Sequence, residues 1–356
     1  MLDVEILDSL PANGVTAAWR DLAITAESPF ATPEWLASGL EALKDSSPLI
    51  LTFRSPEGDL VGVLPLVIDA RGRLGSPAEA YADWFGPACR PELEADVALA
   101  AISALHRSGR LGRTWTMTRC LTGAGWLAGV HQARRPEYEL IAKDPEVELS
   151  LVRFSGAPAM SGKNRREIGR LLRRLDDAHE VEFRCARTRQ EAEQAFPVFE
   201  RLHTERWPDL RGPDTAHFHR AFALRAADQG WLRLWTLAVD GEPAAMLYGW
   251  RIGARSFAYM QAFDAAWSRH GVGILLLDHA VRAAEEEGSE VYDMLRGLEH
   301  HKARFENDRR TARTFAVVGR GSFARLAIGG RESARQAFRR LPPRHQAAIK
   351  GLLRRT

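Results

Sequence analysis

Two segments of this sequence gather residues that can bind phosphate or move protons. The first is WSRHGVGILLLDHA, where Gly271 and Gly273 stand just before an apolar stretch of helical period. Glycine there lets the chain enter a helix with its backbone N–H groups turned toward a ligand. The start of a helix offers unpaired donors and the positive end of its dipole, which suits a pyrophosphate. Arg269 and His270 add positive charge at that mouth. The same glycines also fit an ordinary tight turn between a strand and a helix. The second segment, VYDMLRGLEHHKARF, follows the helix by one strand's length. Asp293, Arg296, Glu299, His300, His301 and Lys302 crowd the expected strand end and its loop. In open α/β sheets ligands lie at the carboxyl ends of strands. An acid, two imidazoles and an amine there can bind a substrate or shuttle protons. A salt-bridged surface turn is the plain alternative, with Glu299 and Lys302 paired three residues apart.

Other chemistries lack their signatures. Adjacent His300 and His301 point apart on a strand or helix. His217 and His219 would share a face only on a strand, whereas their segment reads as helix, so no metal site is expected. There is no GxSxG elbow, no P-loop and no GxGxxG. Cys89, Cys120 and Cys185 stand far apart without a CxxC or a histidine cluster, which points to a reducing compartment.

The surrounding helices and strands are readable as well. Thr32 and Pro33 open a helix at TPEWLASGLEALK, and PLILTFRS and LVGVLPLVID form a hairpin across PEGD. EADVALAAISALHRSG reads as a helix, RTWTMTRC and YELIA as strands. Beyond a turn at SGAPAMSG comes a basic amphipathic helix carrying Lys163, Arg165, Arg166, Arg170, Arg173 and Arg174. A short strand and two helices follow. Then WLRLWTLAVD and AAMLYGWRIG form a second hairpin about the turn GEP, and RSFAYMQAFD adds a third antiparallel strand. These strands feed the glycine-entered helix, which stops at Gly288. TARTFAVVGRG is one more strand, and two short amphipathic helices split by Pro342 and Pro343 end the chain. The fold class is therefore α/β (α+β), in two halves, each a mixed, mostly antiparallel sheet flanked by helices. The expected division is 1–150, 151–320 and a basic tail at 321–356.

At 356 residues the chain exceeds the size at which one core keeps growing. Its hydrophobic share of 45% and charged share of 27% are ordinary for a globular protein, so disorder is not the main reading. No basic-then-apolar leader and no membrane-length apolar run is visible, so a cytoplasmic location is expected. The net charge is only +3, yet from Arg296 onward sixteen Lys/Arg face four Asp/Glu. Such a patch suits a weak contact with nucleic acid or an anionic membrane, or is simply a solvated surface.

The two segments together resemble the CelD-like acetyltransferase domain of the GNAT superfamily. Asp293, Gly297, Glu299 and Lys302 match that family's D-x-x-x-G-x-E-x-x-K element. SPFATPEWLASGLEAL, GDLVGVLPLVI and YADWFGP are similar to its first-half segments, so the likeness runs to about Val318. The resemblance implies tandem GNAT-like halves, as in the related FemAB-type transferases. It implies acetyl-CoA or another acyl-CoA as co-substrate, no metal, and an amine acceptor such as an amino sugar or an exopolysaccharide or envelope precursor. Cofactor contacts then fall to Arg269, His270, Gly271, Gly273, Tyr259 and Gln261, with backbone N–H groups near Tyr248 or Tyr259–Gln261 polarising the thioester. Catalysis falls to Asp293, Lys302, His301 and Glu299, Asp293 contacting or deprotonating the amine and Lys302 orienting Asp293 or meeting an anionic substrate. His301 stands where the family often has tyrosine and either replaces it as proton donor or leaves that role empty. Ser268 occupies the first position of the Q/R-x-x-G-x-G/A loop, with Arg269 one place late. Two alternatives remain: an aminoacyl-tRNA-dependent, FemAB-like transferase, and a non-catalytic module for an anionic surface.

Overall fold

Local signals set the element boundaries. In the first half the computed structural model has β1 (Asp3–Leu7), α1 (Asn13–Thr25), α2 (Pro33–Ala42), β2 (Ser46–Arg54), β3 (Leu60–Asp69), β4 (Leu74–Gly75), β5 (Ala88–Cys89), α3 (Glu94–Arg107), β6 (Thr114–Leu121), α4 (Gly125–Gln132), β7 (Tyr138–Ala142) and β8 (Val147–Arg153). The second half has α5 (Gly162–Asp176), β9 (Val181–Ala186), α6 (Arg189–Arg206), α7 (Pro213–Asp228), β10 (Leu232–Val239), β11 (Glu242–Ile252), β12 (Arg255–Phe263), α8 (Val272–Glu286), β13 (Val291–Arg296) and β14 (Asp308–Gly319). The structure describes residues 2–320 apart from 112–113, 134, 156–159, 208–212 and 298. The terminal helices expected at 321–356 lie outside these residues.

Thr32 caps α2 by accepting the Trp35 N–H at 3.1 Å, with Pro33 at the first helical position. Thr188 and Glu191 close a reciprocal capping box at the start of α6. The β10–β11 turn comes one residue earlier than GEP suggests. Asp240 and Gly241 carry it with φ of 53° and 83°, the two left-handed residues that a tight hairpin of matching twist requires.

All the strands join one mixed sheet, ordered β1-β2-β3-β4-β6-β14-β8-β13-β12-β11-β10-β9, with β5 and β7 paired at its side. Among the described strands only β12–β13 and β4–β6 pair in parallel. The halves are interleaved. β14 lies between β6 of the first half and β8, and β8 bonds to β13 on its other edge. The division expected at 150/151 therefore falls inside β8, whose partners lie far away in sequence. Helices α2 and α7 seal the junction. Trp35 meets Phe218 and Phe222 edge-on at 4.8 and 4.9 Å, and Phe30 meets Trp84 at 4.7 Å. Trp250 is fully buried in this cluster. Each such aromatic stabilises the junction by roughly 2–3 kcal/mol. No described helix is long and apolar enough to cross a membrane.

Candidate active site

β12 and β13 are bonded over three residue pairs, Arg255–Val291, Ser256–Tyr292 and Phe257–Asp293, and then part. A local irregularity marks each strand near the opening. In β12, Tyr259 is an extra residue between Ala258, opposite Gly249, and Met260, opposite Tyr248. A bulge of this kind leaves one residue out of the ladder. Gly249 makes the close approach feasible, since a Cβ there would lie 2.0 Å from the Phe257 carbonyl oxygen. In β13, Leu295 has a φ of 59°, a strained value for a large apolar residue. Asp293 Oδ1 steadies it by accepting the Leu295 N–H at 2.9 Å.

The opening leads into a cavity of about 1040 Å³. Helix α8 starts on its wall. Gly271, at a φ of 70°, is the N-cap and gives no side-chain cap. The amides of Val272 and Gly273 are then among those a helix leaves without an internal acceptor. Gln261 Nε2 donates to the Gly273 carbonyl at 2.6 Å, tying β12 to the helix start.

The opposite wall comes from the first half. The Tyr259 hydroxyl donates to the Tyr81 carbonyl at 2.8 Å, and the Tyr81 and Thr215 hydroxyls share a hydrogen bond at 2.7 Å. Arg119, itself at a φ of 58°, donates to the carbonyls of Glu79 and Ala82 and so clamps the segment on both sides of Tyr81. Asp83 lines the cavity, is 5% exposed, and is ion-paired with Arg296 across the junction. Burial pushes its carboxyl up, against the opposing pull of Arg296 and then Arg119. His219 also lines the cavity, with its Nδ1 buried and unpartnered. Burial, and secondarily His203, pushes its imidazole down to about 3, so it is neutral at neutral pH.

Residues 162–303 match the family model described as Acetyltransferase (GNAT) domain. That stretch is similar to a GNAT acetyltransferase domain. The Tyr81–Asp83 wall lies outside the matched range. No curated protein matches the sequence. Among solved structures, FemX is similar with a TM-score of 0.59 at 10% identity, over 88% of this chain and 96% of that one. The C-terminal domain of a protein assigned as a lysylphosphatidylglycerol synthetase from Agrobacterium fabrum gives 0.56 at 13% identity, over 89% and 95%. L-PGS from Bacillus licheniformis gives 0.55 at 12% identity, over 84% and 95%. At such identities the likeness is one of fold.

Within and beside the matched range the expected site residues divide. Gly271, Gly273, Tyr259, Gln261, Glu299, His301 and Lys302 all line the cavity. Arg269 and His300 line a second cavity of about 470 Å³ on the far side of the turn into α8. His270 lines neither of these two cavities and its ring lies 5.2 Å from that of Trp267. Asp293 does not line the cavity. It is fully buried and ion-paired with Arg310 and, at 3.5 Å, with Arg255. The expectation that Asp293 meets the amine does not fit this placement; its visible work is to hold Leu295 and the sheet. Nor does Lys302 orient Asp293, because its Nζ donates to the Arg296 carbonyl at 2.6 Å and pairs with Glu299 at 2.9 Å. Burial opposes charge on Glu299, but the Lys302 ammonium outweighs it and holds the carboxyl below its usual range. Burial, then Lys302, lowers His301. Sequence reasoning did not single out Tyr81, Asp83, His203, Arg206 or Thr215 as cavity residues, and weighed His219 only as a metal ligand. Only the likeness of YADWFGP to a family segment signalled any of them. Among the described residues no three His, Cys, Asp or Glu side chains are grouped as metal ligands. Burial pushes the Cys120 thiol up to about 12 and the Cys185 thiol to about 11, which leaves neither a ready nucleophile.

Proposed function

We propose that the chain is an acyl-CoA-dependent N-acyltransferase whose reaction takes place between β12 and β13. The observation that carries this reading is the parting of these parallel strands over a large cavity with the start of α8 on its wall. The thiol arm of the donor fits the opening, and its diphosphate meets the first amides of α8. The bulge at Tyr259 supplies an amide for the thioester carbonyl, where negative charge develops. The acceptor amine attacks the carbonyl carbon, the tetrahedral oxyanion collapses, the C–S bond breaks, and the thiolate leaves. The new C–N bond creates an ammonium whose proton needs a base. We assign Asp83 that role, because it lines the cavity and burial makes its carboxylate more basic. Tyr259 has its hydroxyl committed to the Tyr81 carbonyl, so His301 is the group we assign to steady the leaving thiolate through a ring N–H hydrogen bond, and the thiolate then takes its proton from solvent. Thr215, His219, Glu299 and Lys302 suit the hydroxyls of an amino sugar or of an amine-bearing envelope or exopolysaccharide precursor.

Thiol release from acetyl-CoA, followed with a panel of primary amines that includes glucosamine, tests the reaction. Amine-dependent release that falls about 10²–10⁴-fold in Asp83→Asn is expected. Release that depends on no amine, or that persists at full rate in Asp83→Asn, would count against it.

A donor carried on RNA is a second reading with one observation of its own. Lys163, Arg165, Arg166, Arg170, Arg173 and Arg174 are all exposed on α5, and none has an acidic partner among the described residues. A row of free cations is the footprint of a polyanion. Activity with an aminoacyl-RNA ester and none with acetyl-CoA would favour it.

A further inference from the structure

We infer that the acceptor amine carries an oxyanion group, a phosphate or a carboxylate, which Arg206 receives at the mouth of the large cavity. The inference rests on the acyl-transfer reading and deepens it by naming the class of acceptor. The charges that line the cavity are matched except for one. Asp83 is paired with Arg296 and Glu299 with Lys302, whereas Arg206 has no acidic partner among the described residues. His203 and His219 add no further cation beside it, because burial holds both imidazoles toward the neutral form, that of His219 down to about 3. A ligand group with one negative charge therefore completes the balance on that wall.

The guanidinium is braced for such a contact. Its central carbon lies over the Trp207 ring at 4.9 Å and over the Phe263 ring at 5.0 Å. Stacking occupies the faces of the planar group and leaves the N–H donors on its edge free for a two-point grip on an oxyanion. Position ties Arg206 to the acceptor. It stands one turn beyond His203 on the same face of α6, and both line the cavity. His203 is close enough to His219 to oppose its protonation, and the His219 ring meets those of Tyr81 and Tyr259 at 4.9 and 5.5 Å. A continuous wall thus runs from the segment of Asp83, the assigned base, to Arg206. An acceptor with its amine at Asp83 lies along this wall and brings its oxyanion to Arg206. The donor's diphosphate has the α8 amides, so the two anions have separate places.

Thiol release from acetyl-CoA with glucosamine, glucosamine 6-phosphate and glucosaminuronic acid tests the assignment, since these amines differ at one carbon only. One of the two anionic amines should show a kcat/KM about tenfold above that of glucosamine, the worth of one charge-assisted contact. Which of them it is distinguishes phosphate from carboxylate. Arg206→Gln, a change at an exposed side chain, should raise the KM for that amine about tenfold with little change in kcat. Arg206→Lys should recover part of the loss, because it keeps the charge and loses the planar fork. Glucosamine used as well as both anionic amines, none of the three used by a chain that binds acetyl-CoA, or an advantage that survives in Arg206→Gln would overturn the inference and leave the donor site standing. Weaker titration of acetyl-CoA into Arg206→Gln, with the preference among amines kept, would move the arginine to the donor and overturn it as well. A wild type that binds no acetyl-CoA would overturn both.

Discussion

Asp83 and Asp293 are both buried beside arginines, yet only Asp83 lines the cavity. A sequence shows an aspartate near a strand end but not which side of the strand end faces the ligand. Asp293 was legible as important because it sits in a recognisable element. Its two ion-pair partners, Arg310 and Arg255, arrive from β14 and β12 and could not be read from spacing. Asp83 stands in the other half and was hidden for the same reason. His219 is the residue whose behaviour in acid is most distinctive. Its imidazole is neutral in the fold down to about 3, whereas in the unfolded chain it takes a proton near 6.5. The unfolded state then binds more protons than the native state between those values, so stability falls as pH drops from about 6.5 toward 3, by at most roughly 1.4 kcal/mol per pH unit. His219→Gln keeps the size and polarity of the side chain but cannot titrate. Denaturant unfolding should show the variant losing less stability than the wild type over that window; parallel losses would remove His219 as the cause.

At the scale of elements, most of the chain's helices and strands follow from short-range signals. The Thr32 cap, the left-handed Gly288 after α8 and the order of three antiparallel strands, helix and strand all appear where the residues place them. The bulge at Tyr259 was not legible, because nothing in MLYGWRIGARSFAYMQAF states which residue is left out of the ladder. Gly249 is the trace it leaves. A methyl group there would drive into the Phe257 carbonyl, and a backbone clash cannot be relieved by a rotamer change. Gly249→Ala should therefore destabilise the chain by about 1–3 kcal/mol and weaken acyl transfer beyond what the lost folded fraction explains. Thermal unfolding and thiol release measured on the same samples separate the two effects. An unchanged melting temperature with unchanged activity would show that the bulge does not need that glycine.

The whole molecule is one sheet rather than two beads on a string. β8 and β14 exchange across the midline, and α2 seats an aromatic cluster against α7, so the first half becomes a wall of the second half's cavity. Composition and length suggested two halves, but pairing between distant strands is a property of the assembled sheet and leaves no local mark. The first half's helix α3 offers a contrast with α8. Glu94 and Asp96 stand in its first turn, and the Glu94 carboxylate accepts the Trp126 N–H at 3.1 Å, so that helix start already holds an anion of its own. The proposed acyl-CoA site therefore lies at the start of α8 and not at that of α3. Gly273 faces the cavity with ordinary helical geometry, and its nearest neighbours to an added Cβ are side-chain atoms of Gln261 and Phe263 at 3.5 Å, so Gly273→Glu should fold. Its carboxylate would set a negative charge where the donor's diphosphate must lie. Isothermal titration of acetyl-CoA into the wild type and into Gly273→Glu is the most direct measurement. Saturable one-to-one binding that weakens at least about tenfold in the variant is expected. No binding to the wild type up to millimolar donor, or equal binding to both proteins, would contradict it.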